Sequence, residues 1–591
     1  MRGHHWVHFL QNLMSLRIFA NKFRDKLINT KMKHSVLALV WGLLMPLCMW
    51  AETTNDSLNI ISNDTLISLL PINGDSIDYT ADEEIIPDSI WAQDTVRTGT
   101  PLYKFVHSPH FRNANISVLV KEIKTGKQLA EYRSVYNMIP ASVTKVISTA
   151  SALEILSDTF RFRTKLEYDG EIQNGVLNGN LYITGGGDPT LASTNSNNKT
   201  AIFANFLAAV KKKGITKING KIVGDASLYE EEGGPGIWLV EDIGSAYSPT
   251  PSALSFYDNL ITFTMQSDNQ NVKLSNVTPS TRLFQPKLDI DVLAGNVTSK
   301  VTQTDYSWTP LVSGRMKPNS KHGIRIGIPD PAHFVADSML STLKKAGISV
   351  NGTATTQRLL RASAPRKTLA VYKSATLGEI CKPTNYKSIN LYAENIFSQV
   401  GLKKERPSTK TASVDVIAKY WKKKGLSSNT IFQMDGSGLS MKNAINSAFL
   451  VEVLSYMYTK SKYKKTFYES LPVCGVSGTV KYLLDKTPLA GKVHAKSGSM
   501  ERVQNYCGYI EQEGRAYAFS VMINNFAGPR ASVKAEISRL LNGVMAEEAA
   551  LYQSSTEAVQ TQASDEVQLP TENTAPEAEE PQQEENSNNA Q

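Results

Sequence analysis

The sequence predicts an α/β (α+β) protein interrupted by a mostly β stretch, and three observations carry that expectation. A β-hairpin leads into an apolar helix near residue 142, a second hairpin and a helix follow near residue 505, and between them the pattern from 171 to 355 turns to short strands, glycines and turns. At 591 residues the chain is too long for one hydrophobic core, and its 41% hydrophobic and 20% charged residues are the proportions of a globular protein.

The first segments are not part of that fold. Residues 32–51 have a basic start, an apolar run and Ala51 before Glu52, the pattern of a signal peptide cut after Ala51. The run is short and broken by Pro46, which argues against an uncleaved membrane anchor, and Leu47 ahead of Cys48 argues against a lipid-modified cysteine. Residues 1–31 then read either as a mis-assigned start before Met32 or as an extended n-region. Residues 52–104 read as a flexible acidic linker. Charge is sharply divided: residues 1–51 carry +6, 52–95 carry −10 and 551–591 carry −9, so a chain of net +8 has a central part, 96–550, of +21. A field of that sign favours anionic partners, and with an export signal nucleic acid is not among them. Cys381, Cys474 and Cys507 remain after cleavage, too few for a disulfide framework, so at most one pair forms and one thiol is left over; Cys474 and Cys507 read as buried small hydrophobes rather than a redox pair.

The folded part opens on strands 116–120 and 128–132, joined through Lys124-Thr125-Gly126-Lys127. Next comes Pro140-Ala141-Ser142-Val143-Thr144-Lys145 and an apolar run to Leu156 with helical spacing. Ser142 and Lys145, three apart on one helix face, read as a nucleophile and its base, because a hydroxyl attacks only once a neighbour takes its proton. Spacing alone is weak support, since Ser461 to Lys464 repeats it. In the stretch 171–355, Gly185-Gly186-Gly187-Asp188-Pro189-Thr190 is a turn signal, without the Lys-Ser/Thr of a phosphate loop. A helix over 332–346 closes this stretch, helices and loops alternate to 475, strands 505–510 and 517–523 turn at Gln512-Glu513-Gly514, and a helix over 532–545 ends the fold. Residues 549–591 read as a disordered acidic tail.

Two further motifs support Ser142. Ser388-Ile389-Asn390 precedes the helical run Leu391 to Phe397, and Lys496-Ser497-Gly498-Ser499 precedes the second hairpin. In order, the three motifs resemble the Ser-x-x-Lys, Ser-x-Asn and Lys-Thr/Ser-Gly set of penicillin-binding proteins and serine β-lactamases. With Asp435-Gly436-Ser437-Gly438-Leu439-Ser440, Leu471 through Thr479, Ser388 through Ala393-Glu394 and Gly187-Asp188-Pro189-Thr190-Leu191, the chain resembles the peptidase S13 family of D-alanyl-D-alanine carboxypeptidases and endopeptidases. Ser142 and Ser388 stand 246 residues apart and Ser388 and Lys496 only 108, so a domain is inserted after the first motif. The resemblance implies a penicillin-binding/serine β-lactamase-like catalytic domain over 105–170 and 356–548, split by a mostly β insertion over 171–355 that shapes access. Lys-Ser-Gly stands where the family usually has Lys-Thr-Gly, and Ser499 replaces a second threonine.

The resemblance also implies roles. Lys145 must be neutral to act as a base, with burial and Lys496 as a second cation lowering its proton affinity. Lys496 and Ser497 would hold the substrate carboxylate, with Gly498 and Ser499 beside it; Ser388 would pass a proton to the leaving D-alanine, and Asn390 would fix Lys145 and the substrate amide. The N–H groups of Ser142 and Ser499 would form the oxyanion hole. Asp188 reads first as a turn residue and second as a contact to the substrate's side chain. His107 and His110 lack partners for a metal site, so no metal and no cofactor is expected. The implied protein is exported to the periplasm or cell envelope, cleaves peptidoglycan peptide stems and is acylated by β-lactam antibiotics. Its activity is D-Ala-D-Ala carboxypeptidase, with DD-endopeptidase action as an addition; a wall-binding scaffold and a β-lactam or ester hydrolase are the alternatives. Oligomeric state stays open.

Overall fold

The computed structural model describes residues 96–195, 201–231, 235–361 and 364–565. The expected signal segment, the residues before it and the linker as far as 95 lie outside the described residues. The half that carries Ser142 is built on one antiparallel sheet of β1 (Asn115–Glu122), β2 (Gln128–Tyr132), β3 (Val493–Met500), β4 (Val503–Gln512) and β5 (Arg515–Asn524), in the order β3-β4-β5-β1-β2. Both expected hairpins are present. The turn between β4 and β5 is Glu513-Gly514, with φ of 53° and 72°, the two left-handed residues that suit a two-residue hairpin. β1, from the start of the fold, pairs with β5 from its end over eight residues, so this half is closed by a contact between the two ends of the fold.

Period-two alternation assigns the faces of this sheet. Ile116, Val118 and Val120 point to one side, where Phe105, Val533, Ile537 and Leu541 complete a core beneath the last helix, α6 (Arg530–Asp565). Leu119, Tyr509 and Met522 point to the other, against α1 (Thr144–Leu156), α2 (Leu377–Tyr386), α3 (Asn390–Gly401), α4 (Lys410–Lys423) and α5 (Ser447–Thr459). α1 is the central helix, buried at every position from Thr144 to Leu153. Its small polar residues are satisfied: Ser148 Oγ donates to Gly436 O at 2.8 Å, and Trp421 Nε1 donates to Ser151 Oγ at 2.8 Å. Truncating Leu153 to alanine here would cost about 2–5 kcal/mol. The three thiols are buried and free, Cys474 on one face of the sheet and Cys507 with Cys381 on the other. His110 Nε2 lies 4.0 Å from Glu536, and His107 stacks on Tyr103.

The insertion has its own core, containing Phe206, Phe263, Phe334 and Met339, and strands in four sheets. Two helices, Ala201–Lys212 and Pro331–Lys345, pack into it. Arg163–Tyr168 pairs antiparallel with Lys367–Lys373, so the outgoing and returning strands lie side by side and the sheets reach beyond 171 and 355. At their base Ser374 N donates to Phe162 O at 3.0 Å. Gly186 is pressed against main chain, where a Cβ would stand 2.0 Å from Arg163 O; this glycine run serves close packing.

Both ends of the fold depart from expectation. Pro101–Val106 is a helix capped by Thr100, with Leu102 and Phe105 buried, so folded structure begins inside the stretch expected as linker. α6 runs to Asp565, past the point at 549 where disorder is expected. A helix already packed through Leu541 propagates through Ala546-Glu547-Glu548-Ala549-Ala550-Leu551, all strong helix formers, with no proline before Pro570. Glu548 pins that extension, meeting Lys127 Nζ at 2.6 Å and Arg515 at 2.8 Å.

Candidate active site

The turn before α1 is held by amides from the sheet. Asn505 Nδ2 donates to Ile139 O and Pro140 O at 2.9 and 2.8 Å, and Asn524 Nδ2 donates to Ile139 O at 3.0 Å. Ala141 has a φ of 48°, a strained value for a residue with a Cβ. Ser142 therefore sits in a short 3₁₀ turn, Ala141–Val143, and the regular helix starts at Thr144. The three-residue spacing still brings the pair together: Lys145 Nζ donates to Ser142 Oγ at 2.9 Å. It also donates to Asn390 Oδ1 at 2.6 Å and to Ser437 O at 2.7 Å, so all three ammonium hydrogens have partners and the lone pair is free only when one leaves.

Ser388 and Asn390 flank the start of α3. Ser388 takes a φ of 59°, and Asn390 is the first helical residue. This kink points both side chains at the lysines: Lys496 Nζ donates to Ser388 Oγ at 2.9 Å, while Asn390 Nδ2 donates to Tyr247 O at 2.8 Å. Lys496 lies on β3, at the sheet edge, where strand donors and acceptors lack a neighbouring strand. The glycine after Ser497 is required by space. A Cβ on Gly498 would stand 2.5 Å from Pro140 O and 3.0 Å from Val143 N, so only glycine lets β3 lie against the nucleophile turn. Ser497 Oγ donates to Thr479 Oγ1 at 2.8 Å, and the exposed Ser499 donates to Gln504 Oε1 at 3.1 Å.

Both lysines are fully buried. Burial brings Lys145 down to about 7, with Asp435 and Glu394 pulling it back up. That displacement from 10.5 is worth roughly 5 kcal/mol between the two protonation states. Burial also takes Lys496 well below its ordinary value, and the Lys145 charge takes it further. Burial, one of the two causes expected from the sequence, is the largest cause of the Lys145 depression, and the repulsion between the two lysines falls on Lys496 as a further lowering.

Asp188 stands apart from this set. It is 0% exposed, and its Oδ1 accepts from Thr190 N at 2.8 Å and Thr190 Oγ1 at 2.6 Å, the bonding of a turn residue. Burial pushes its carboxyl up to about 6. The repeated spacing at Ser461 is also structural: its hydroxyl binds Glu154 Oε1 at 2.5 Å, and Lys464 lies over the Tyr458 ring.

Several groups had no role in the sequence reading, although Ser437 and Glu394 lie in the motifs that carry the resemblance. Ser437 O and Tyr247 O are main-chain atoms, which leave no residue-type signal. Glu394 accepts from Ser437 N at 2.7 Å, and it follows Asn390 by one helical turn. Burial, with the Asp435 charge, pushes Glu394 up to about 7. Tyr247 and Trp238 come from the insertion, which therefore frames the candidate site; Trp238 Nε1 donates to Asp435 Oδ2 at 3.1 Å. The arrangement can activate a hydroxyl beside a lysine of low proton affinity, and it keeps a second serine and lysine near for proton transfer and anion binding.

The model of the D-Ala-D-Ala carboxypeptidase 3 (S13) family matches residues 100–545. D-alanyl-D-alanine carboxypeptidase DacB of Haemophilus influenzae is 26% identical over 428 residues, covering 70% of this chain and 86% of its own. A D-alanyl-D-alanine carboxypeptidase of Actinomadura is 25% identical over 451 residues, covering 72% and 80%. The crystal structure of penicillin binding protein 4 from Haemophilus influenzae superimposes with a TM-score of 0.65 at 26% identity, covering 74% of this chain and 96% of that one. That protein has also been solved in complex with a β-lactam, and this form superimposes with a TM-score of 0.63. Motifs, fold and these likenesses converge, and the chain belongs to the D-Ala-D-Ala carboxypeptidase 3 (S13) family.

Proposed function

We propose that the protein is a serine-type D-Ala-D-Ala carboxypeptidase that cleaves peptidoglycan stem peptides through an acyl-enzyme on Ser142. The observation that carries this reading is the contact of Lys145 Nζ with Ser142 Oγ at 2.9 Å, made by a buried lysine brought down to about 7. Neutral Lys145 takes the Ser142 proton as Oγ attacks the carbonyl carbon of the penultimate D-alanine. The oxyanion is held by the N–H groups of Ser142 and Ser499. When the C–N bond breaks, Ser388 protonates the leaving amine and regains a proton from the lysine network, so the Ser142 proton ends on the released D-alanine. Water then hydrolyses the ester by the same path reversed. Lys496 and Ser497 bind the terminal carboxylate, whose charge restores the proton that burial makes Lys496 reluctant to hold.

The signal-like segment at 32–51 supports export to the periplasm or cell envelope, where the polymer is found. β-Lactams, which mimic the acyl-D-alanyl-D-alanine end, are the covalent inhibitors. Labelled penicillin should attach to Ser142, and Ser142→Ala should abolish labelling while thermal unfolding stays as in the parent. Equal labelling of the variant would overturn the assignment. Mass spectrometry of muropeptides incubated with the protein separates loss of D-alanine from cleavage of cross-links, and so measures any endopeptidase action.

A further inference from the structure

The peptide unit between Ser437 and Gly438 connects the lysine to a buried acid. Its carbonyl accepts from Lys145 Nζ at 2.7 Å, and its N–H donates to Asp435 Oδ1 at 2.7 Å. Asp435 is 0% exposed, and its carboxylate accepts three more bonds: from Asn443 Nδ2 at 3.0 Å, Ser440 N at 2.7 Å and Trp238 Nε1 at 3.1 Å. Trp238 is the one of these donors that the insertion supplies. Ser440 Oγ fastens the same segment by donating to Ile237 O at 2.9 Å.

We propose that Asp435 is a positioning residue for Lys145, acting through the Ser437–Gly438 peptide, and that Trp238 of the inserted domain tunes it. This rests on the reading of Lys145 as the base. A carboxylate on the N–H end of a peptide polarises its carbonyl and makes that oxygen a better acceptor for an ammonium. Asp435 therefore aims Nζ and favours its protonated form. The indole N–H draws on the same carboxylate and weakens that effect. The insertion thus touches the chemistry through one hydrogen bond, and displacing Trp238 would change the proton affinity of the base.

The other groups around Lys145 are Ser142 on its own turn, Asn390 and Glu394 on α3 and Lys496 on β3; Glu394 in turn feels Lys410 of α4. In Asp435→Asn the ionisation of Glu394 rises and offsets part of the lost charge, so the shift is smaller than full removal of a charge would give.

The test is the second-order rate of acylation by labelled penicillin between pH 5 and 9, with peptide mapping to Ser142 in every variant. Acylation falls on the acid side because the base becomes protonated. Trp238→Phe leaves the carboxylate more negative and should move the midpoint of that fall up by roughly half a pH unit, whereas Asp435→Asn should move it down by a similar amount. Opposite displacements support the proposal. Rates that drop at all pH values with an unmoved midpoint, or midpoints that move the same way, overturn it. If Asp435→Asn does not fold, Trp238→Phe alone decides: an upward shift supports the coupling and an unmoved midpoint overturns it. Label found elsewhere than Ser142 would refute the function itself, a distinct outcome.

Discussion

The pH dependence of acylation follows from where Lys145 is buried. The perturbation is a change of pH from 8 to 5 on the parent protein. Lys145 is brought down to about 7, so it is neutral above that value and protonated below it. In the proposed mechanism only the neutral form can take the Ser142 proton. The second-order acylation constant, which reports the free enzyme, should be near its plateau at pH 8, about tenfold below it at pH 6 and about a hundredfold below it at pH 5. Initial rates with a labelled penicillin, at concentrations well below saturation, give this constant directly. Circular dichroism at each pH shows that the fold persists. A midpoint near 10 would mean that the amine is solvated in solution, and burial would then not be the cause of activation. A flat profile from 5 to 8 would mean that another group takes the proton. Either result refutes the argument.

Two further expectations concern the nucleophile turn and the surface. Gly498→Ala places a Cβ 2.5 Å from Pro140 O, and since both neighbours are main chain, β3 and the Ser142 turn must part; overpacking of this kind costs about 1–3 kcal/mol. The expected result is a small drop in melting temperature with a much larger loss of acylation rate, and parent-like acylation would show that the close approach is dispensable. Lys211, Lys212, Lys213, Lys344 and Lys345 are exposed at two helix ends whose following loops meet where Ser349 N donates to Thr216 O at 3.0 Å, and among the described residues none of the five makes an ion pair. Binding to isolated cell wall should weaken steeply with salt, since exposed attractions are screened beyond about 8–10 Å near physiological ionic strength. Serine at these five positions should lower binding several-fold at low salt and flatten its salt dependence, as measured by co-sedimentation; unchanged binding would leave the lysines as solvated helix ends.

The site was legible in the sequence wherever chemistry demands a particular side chain at a particular offset. Ser142 with Lys145, Ser388 with Asn390, and Lys496 with its glycine each carry a residue type that their geometry requires, and Gly498 shows the requirement most directly. Local elements were legible for a similar reason: short apolar runs marked β1 and β5, and Gln512-Glu513-Gly514 marked the turn between β4 and β5. What escaped was non-local or belonged to main chain. No local pattern says that Arg163–Tyr168 will pair with Lys367–Lys373, because the cost of closing a loop depends on the packing of everything between. The length of α6 was missed because composition alone marked its acidic end as unfolded, while Lys127 and Arg515, far away in sequence, turn Glu548 into an anchor.

The Lys145 shift meets the same limit: the sequence names burial and a second cation as its causes and does not rank them. A motif shows that a second lysine is near, but desolvation depends on how completely α1, α3 and the 435–440 loop close around the amine. The insertion enters the argument at that point. Spacing shows that it interrupts the catalytic half, and nothing in the spacing shows that it returns to the site. The hydrogen bonds at Tyr247 O and Trp238 Nε1 mean that the halves cannot be treated as a catalyst and an appended access domain. Asn390 has its amide orientation fixed from one side by Lys145 and from the other by the insertion, so a change in the insertion's seating would be felt first at the group that holds Lys145 Nζ at 2.6 Å.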